Sequence, residues 1–429
     1  MEDYIEGFAN QSESKPITIA CNALLLAFLS AFKLKLRMVN MKKNEIKKLF
    51  PPATIGIVGG GQLGRMFVFE AKRMGYNVIV LDPKANSPAG QVADEQIVAE
   101  YDELWAYIEL SKKSDVITYE FEHINSEILF QIENMGNKVI PSAKTLHIIQ
   151  NKLIQKNFLE DLDIKVPKFS RIENKEDLIN KFGLFQKKAI IKSSENGYDG
   201  KGNAIARSDY ELENAFRNFE NQEIFIEELV DFIKEVSILI VKNDSGVYFY
   251  PVSENHHQDS ILIKSKIPAE LPEGVIKKIN IISEKIVNAL EDVGVFCIEF
   301  FIDKNMDVLV NEIAPRPHNS GHYTIEACVT SQFEQMVRVV CGMPAGSTKL
   351  RKPCVMYNIL GNEDSEGEYE VKGLDKILEI EDCHFHLYGK HEIGKLRKLG
   401  HITAIGETVV AANIKAKSAM DLLEIKEER

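Results

Sequence analysis

The sequence carries no surplus of positive charge, no paired cysteines, no internal repeat and no apolar run long enough to cross a bilayer. Its 52 Lys and Arg stand against 64 Asp and Glu, a formal net charge of −12. That balance excludes a general nucleic-acid binder, which needs a basic surplus to neutralise phosphates. It leaves room for a few local cations in a pocket for an anionic small molecule. The six cysteines (Cys21, Cys297, Cys328, Cys341, Cys354, Cys383) include no CxxC pair. They offer neither a disulfide framework nor a zinc site and fit reduced thiols in a cytosol. Cys297 and Cys328 sit in apolar surroundings and read as buried filler.

The run Ile17 to Phe32 is apolar but short of the ~18–20 residues a membrane span needs. Acidic residues precede it (Glu2, Asp3, Glu6, Glu13), the wrong sign for a secretory signal. Residues 1–52 read as a non-catalytic extension, with a membrane-touching helix as the minority alternative. A working start near Met38 or Met41 is a further reading.

What the sequence does contain is ordinary globular material: 429 residues, 45% hydrophobic and 27% charged. At roughly 100–200 residues per domain, more than one domain is expected. From Ala53 the pattern alternates between strands and helices. TIGIV (54–58) reads as a buried strand, GGGQLG (59–64) as a tight turn, RMFVFEAKRMG as a helix and NVIVLD (77–82) as the next strand. Further strands are expected at QIVA (96–99), DVITYEF (115–121) and KVI (138–140). This series implies a parallel sheet with right-handed crossovers. One helix is expected around 149–160, carrying Lys152 and Lys156. A second unit begins at KKAIIKS (187–193) and continues through EIFIEELV (223–230), KEVSILIVK (234–242) and GVYFYPV. Its alternation looks antiparallel, a switch from α/β to α+β.

GGGQLG, with Asp82 closing the second strand, fits G-x-G-x-x-G and a nucleotide-binding turn. A ligand-free tight turn and a nicotinamide dehydrogenase both remain open on that motif alone. SSENGYDGKGN (193–203) is not a Walker A loop, because no GK[ST] ends it. It joins two strands, so it reads as a flap, with Lys192 before it and Lys201 within it. Two lysines around a glycine flap suit a triphosphate, and a solvated hairpin tip is the other reading. In EELVDFIKE (227–235), Glu235 suits ribose hydroxyls beside a strand end that could bind adenine. Glu227 and Glu228 are either ligand-facing or solvated edge charges.

Glu299 and Glu312 make the strongest case. With a turn centred on Lys304-Asn305, Glu299 opposes Val310 and Glu312 is its diagonal neighbour, roughly 7–8 Å away on the same face. Two carboxylates held together on otherwise apolar strands repel unless a cation sits between them, and oxygen-only ligands favour Mg²⁺. NEIAPRPHNSGH (311–322) follows, stiffened by Pro315 and Pro317. It can hold Arg316 and His318 near a transferred phosphoryl group.

GGGQLGRM, ENGYDGKGN, NEIAPRPHNSGH and RKLGH (397–401) occur together and in order. On them the chain resembles the ATP-grasp superfamily, and within it the 5-(carboxyamino)imidazole ribonucleotide synthase family, over about Thr54 to Thr403. The resemblance implies an ATP-grasp fold with a Rossmann-like (pre-ATP-grasp) domain over 53–150 and an ATP-grasp domain over 151–345. Its lid would span about 187–252, and a small β-rich C-terminal subdomain 346–429. It implies that Lys152, Lys192, the loop Gly197, Tyr198, Asp199, Gly200, Lys201, Gly202 and Asn203, then Glu227, Glu228, Leu229 and Val230, with Glu235 and His257, contact ATP. Asn311 and Glu312, with Glu299, would hold Mg²⁺ and the phosphates. Gly61, Gln62 and Leu63 would take the aminoimidazole nucleotide, Glu120 its ribose hydroxyls, and Lys390 and Arg397 its phosphate. One departure is Asn151-Lys152-Leu153, where the family usually has aspartate first.

The implied reaction is ATP- and bicarbonate-dependent carboxylation of 5-aminoimidazole ribonucleotide through carboxyphosphate, in de novo purine synthesis. Arg316 and His318 are expected at the bicarbonate end, with Tyr198, Asp199 and Lys201 on the lid. The resemblance also implies a homodimer. Another ATP-grasp carboxylase or a formate-activating ligase is the alternative.

Overall fold

The computed structural model describes residues 47–195, 202–219, 222–362 and 366–427. The tip of the second glycine loop, with Gly197, Tyr198, Asp199, Gly200 and Lys201, lies outside the described residues, as do residues 1–46. Packing starts before residue 53. The Leu49 amide donates to Cys341 O, and the Tyr76 hydroxyl donates to Leu49 O. The end of the expected extension is therefore part of the folded body.

Strands β1 (Thr54–Val58), β2 (Asn77–Leu81), β3 (Glu95–Ile97) and β4 (Val116–Tyr119) form a parallel sheet in the order β3-β2-β1-β4. Their apolar residues are almost continuous because helices α1 (Gln62–Arg73), α2 (Leu104–Lys113) and α3 (Ser126–Asn134) accompany them. The strand expected at 138–140 is reduced to one parallel bridge, Ile117 to Val139. The single helix expected around 149–160 is two, α4 (Ala143–Gln150) and α5 (Lys152–Asp161). Asn151 makes the break. Its extended backbone ends α4, and its Oδ1 accepts from the Leu153 and Ile154 amides at 3.0 and 3.1 Å to cap α5.

The next sheet is antiparallel: β5 (Phe169–Ile172), β6 (Ala189–Ser193), β7 (Asn203–Ala206) and β8 (Ile224–Glu228), ordered β5-β8-β6-β7. Helices α6 (Lys175–Leu184) and α7 (Asp209–Asn218) complete this lobe. The glycine loop joins β6 to β7, at the end of the lobe where Lys192 pairs with Asn203.

A nine-stranded antiparallel sheet carries the rest. It comprises β9 (Phe232–Asn243), β10 (Gly246–Phe249), β11 (Ser253–Gln258), β12 (Ile261–Ile267), β13 (Gly294–Asp303), β14 (Val308–Ala314), β15 (Cys354–Leu360), β17 (Cys383–Leu387) and β19 (Lys398–Ile405). Helix α8 (Glu273–Ala289) precedes β13, and α9 (Thr324–Ala327) and α10 (Gln332–Val340) follow β14. The C-terminal part adds β16 (Gly367–Lys372), α11 (Leu374–Ile377), β18 (Glu392–Ile393), α12 (Val409–Leu422) and β20 (Glu424–Glu427).

Two expected boundaries shift. β9 and β10, expected in the lid, pair within the large sheet, so the separate sheet of the lid spans Phe169–Glu228. The C-terminal strands, expected as a subdomain over 346–429, continue the large sheet, because β12 pairs directly with β15. Strand pairing decides both points, and it is invisible to alternation within a single strand.

Candidate active site

Strands β13 and β14 supply the two carboxylates. Phe300 faces Val310, but Glu299 faces Glu312, so Asn311 is an extra residue. This β-bulge corrects the diagonal placement expected from an unbroken register. Its consequence follows from the two-residue period of a strand. Val308 and Val310 point into the core with Ile298, Phe300 and Ile302. Without the extra residue Glu312 would share that buried face; with it, Ile313 takes the core position and Glu312 turns to join Glu299.

Paired opposite each other, the two acids titrate far apart. Burial and then the charge of Glu312 push the Glu299 carboxyl up to about 7. Burial also works against Glu312, but Lys152 outweighs it by charge and hydrogen bond, and Glu312 is held at about 2. The Lys152 ammonium lies 3.0 Å from Glu312 Oε2. A carboxylate pair with one member forced toward protonation fits a divalent cation, which would let both ionise. Nearby, His257 Nδ1 bonds a Glu235 oxygen. Burial opposes the charged imidazole, but that bond and the charge of Glu299 raise its pKa.

Lys152 is placed by its neighbours. Its amide donates to Ser194 O at 2.7 Å, tying the start of α5 to the base of the glycine loop. The Asn151 amide group donates to Glu195 at 3.1 Å and Glu223 at 3.4 Å. Either oxygen of an aspartate could cap the helix equally, but a carboxylate would repel those two acids. The amide thus suits this particular surrounding.

Glu227 is the centre of a buried cluster. Its two oxygens pair with Lys192 and Lys156, and the Lys156 and Glu227 side chains are 3% and 1% exposed. Burial lowers the Lys156 pKa, while the two lysines overcome burial to keep Glu227 ionised. The carboxylate is taken up by the two lysines. Lys156, seen in the sequence only as part of a helix, is the residue that holds it.

Two cavities open over these groups. One, of about 560 Å³, is lined by Lys192, Asn203, Leu229, Glu235 and His257, with Glu299 and Asn311 at its floor. Phe232 and Phe301 stack at 4.8 Å to form an apolar wall. Gly202, Glu228 and Val230 do not line it. The Glu228 amide and carboxylate bond the Lys168 backbone instead.

The second cavity, of about 410 Å³, is lined by Gly61, Gln62, Leu63, Glu120 and Arg316. Here the glycine turn differs from a phosphate cradle. The Glu120 carboxylate accepts from the Gly61 and Gly64 amides, so the α1 N-terminus already holds an anion. A side chain at Gly61 would put its Cβ 2.7 Å from Glu120 Oε1, and Gly59 has φ +103°. Asp82 accepts from the Gly60 amide and the Tyr101 hydroxyl. Asp82, the acid a dinucleotide site would use, is therefore committed to the turn itself. Burial raises the Glu120 pKa.

Arg316 pairs with both oxygens of Glu122, at 2.9 and 2.8 Å, and Glu122 keeps it charged against burial. His318 sits beside it, with Nδ1 2.9 Å from Ser320 Oγ. Burial and then Arg316 push its pKa down to about 3, so it is neutral at physiological pH. Lys152, Glu312, His318, Asn319 and Lys398 line both cavities and form the junction between them.

Lys390 and Arg397 line neither. Lys390 Nζ donates to Lys398 O, and Arg397 donates to Glu392 O. The sequence reading missed Glu122, Asn319 and Lys398, although Asn319 and Lys398 lie in NEIAPRPHNSGH and RKLGH and Glu122 directly follows the expected strand 115–121.

Three family models match along the chain. A ribonucleotide synthetase preATP-grasp domain covers residues 52–150, an ATP-grasp domain 157–333, and a phosphoribosylaminoimidazole carboxylase C-terminal domain 354–415. The N5-carboxyaminoimidazole ribonucleotide synthase of Bacillus subtilis is 39% identical over 358 residues, 83% of this chain and 92% of the relative. That of Brucella melitensis is 40% identical, over 85% and 99%. This chain belongs to the N5-carboxyaminoimidazole ribonucleotide synthase family. The family's Thermotoga maritima crystal structure aligns with TM-score 0.80 and 44% identity, covering 88% of this chain and all of that one. The Aspergillus clavatus family member, solved with ADP and 5-aminoimidazole ribonucleotide, aligns with TM-score 0.81 and 30% identity, over 87% and 99%. As a family member with an ATP-grasp domain, the chain is an ATP-dependent ligase. Among the described residues, no helix is long and apolar enough to cross a membrane.

Proposed function

We propose that this chain carboxylates 5-aminoimidazole ribonucleotide, using ATP and bicarbonate and releasing ADP and phosphate, in purine biosynthesis. The observation that carries the reading is the junction: Lys152, Glu312, His318, Asn319 and Lys398 belong to both cavities. ATP occupies the larger cavity, with its adenine against Phe232 and Phe301 and its ribose near Glu235. The nucleotide occupies the smaller one, beside Gln62 and Glu120. Bicarbonate sits between them, near Arg316 and His318.

The chemistry fits this order. A bicarbonate oxygen attacks the γ-phosphorus and ADP leaves, giving carboxyphosphate. The exocyclic amine then takes the carboxyl carbon, directly or as CO₂, and phosphate leaves with the bridging oxygen. Lys152 and Lys192 neutralise charge developing on the transferred group. Mg²⁺, held by Glu299 and Glu312, would supply further charge neutralisation and orientation of the phosphates. Arg316, fixed by Glu122, orients an anion, and neutral His318 offers a hydrogen bond beside it without adding charge. The lid, to which the sequence assigns Tyr198, Asp199 and Lys201, would shield a water-labile intermediate. The three-domain division, the cytoplasmic location and a homodimer are part of the same reading.

The test is ADP release by the purified protein with Mg²⁺, ATP and bicarbonate, with and without the nucleotide. The reading expects turnover only when all are present. Equal turnover without the nucleotide would point to another acceptor.

A further inference from the structure

Away from the two cavities, the structure gathers an unused set of metal-binding side chains. β17 and β19 pair so that His386 stands opposite His401. Glu326, on α9, reaches the same place and bonds His386 Nε2 at 2.6 Å. One ligand atom from each of Glu326, His386 and His401 lies within 4.8 Å of the others. His401 is fully buried, with Nδ1 3.0 Å from the Tyr388 hydroxyl. Its Nε2 has no hydrogen-bond partner among the described residues, and neither does Glu326 Oε2. Buried polar atoms without partners are costly and call for an occupant. His322 closes the far side, its ring 4.7 Å from that of His401, and its Nε2 is also without a described partner.

We propose that Glu326, His386 and His401 form a site for a borderline transition-metal dication such as Zn²⁺, distinct from the Mg²⁺ position at Glu299 and Glu312. The donor set is two imidazoles and one carboxylate, which suits zinc and leaves a fourth tetrahedral position for water. Ligands around zinc stand about 3.3 Å apart, given bond lengths of about 2.0–2.1 Å, so the group must draw together. His401 is fixed by Tyr388. His386 is the movable member, since its side chain is 30% exposed. Its ring stacks almost parallel on His401 at 4.3 Å, and it swings out of that stack to turn a nitrogen toward the ion. Burial holds His322 and His401 well below the ordinary imidazole pKa, leaving both neutral, the form that binds metal. The ion would tie α9, just after the Asn311–His322 loop, to the C-terminal strands. The inference is independent of the proposed carboxylation.

Crystals of the full chain soaked in Zn²⁺ with excess Mg²⁺, measured on both sides of the zinc absorption edge, decide the matter. The expected result is an anomalous peak about 2.1 Å from His401 Nε2 and from one atom each of His386 and Glu326. Only a water there, or a peak confined to Glu299 and Glu312, overturns the proposal. In solution, Zn²⁺ should raise the melting temperature of the Mg²⁺-saturated protein in a concentration-dependent way. His386→Gln and Glu326→Gln should each weaken Zn²⁺ binding by about 100-fold or more. Unchanged affinity in both variants would also overturn it.

Discussion

Arg316 shows how one residue serves two neighbours. Its guanidinium is held by both Glu122 oxygens across 194 residues of sequence, which fixes it at the wall shared with His318. Arg316→Ala should lower kcat by about 10²–10³-fold, the usual cost of losing one aimed charge at a reacting centre. Glu122→Gln keeps one acceptor and should cost about tenfold, read in the same ADP-release assay. Glu299 offers a pH test. Burial and the charge of Glu312 raise the Glu299 pKa, so it holds its proton to higher pH than an ordinary carboxyl. Binding Mg²⁺ with a non-hydrolysable ATP analogue should therefore release more proton at pH 6 than at pH 8. Calorimetry in buffers of different ionisation enthalpy measures this; equal release at both pH values would contradict the pairing of the two acids.

At the scale of elements, the Lys156–Glu227–Lys192 cluster joins α5 to β6 and β8. Glu227→Gln leaves two buried ammonium groups facing a neutral amide and should destabilise the fold by about 3–5 kcal/mol in urea unfolding. Lys156→Met should cost less, because the Lys192–Glu227 pair survives. The same scale shows what the sequence can and cannot reveal. β1, α1 and β2 were readable because apolar period and turn chemistry are local properties. The two glutamates were readable as acids in an apolar setting. The bulge at Asn311 was not, since an extra residue exists only relative to the partner strand. Nor was the break at Asn151, where the apolar period runs on through α4 and α5. Lys398, the first residue of β19, reaches the cavities, whereas Arg397 lies before the strand and donates to Glu392 O.

For the whole molecule, the large sheet runs unbroken from β14, which carries Glu312, to β17 at the far edge. The Asn311–His322 loop meets the C-terminal strands where the His322 and His401 rings lie 4.7 Å apart, and these two buried histidines make stability depend on pH. His322 and His401 have folded-state pKa values well below 6.5 because burial disfavours their charged forms. Below pH 6.5 the unfolded chain binds protons that the folded chain does not, so stability is full above that pH and falls as acid is added. Each withheld proton contributes a slope of about 1.4 kcal/mol per pH unit. Denaturant unfolding in EDTA between pH 7 and 5 should show this loss, and His401→Asn should flatten it.

In the proposed reaction a bicarbonate oxygen attacks ATP before the amine takes the carbon. The direct measurement is turnover with ¹⁸O-labelled bicarbonate and unlabelled ATP, followed by mass analysis of the phosphate released. The account predicts one ¹⁸O in each phosphate, formed only with 5-aminoimidazole ribonucleotide present. Unlabelled phosphate from a productive turnover would contradict it.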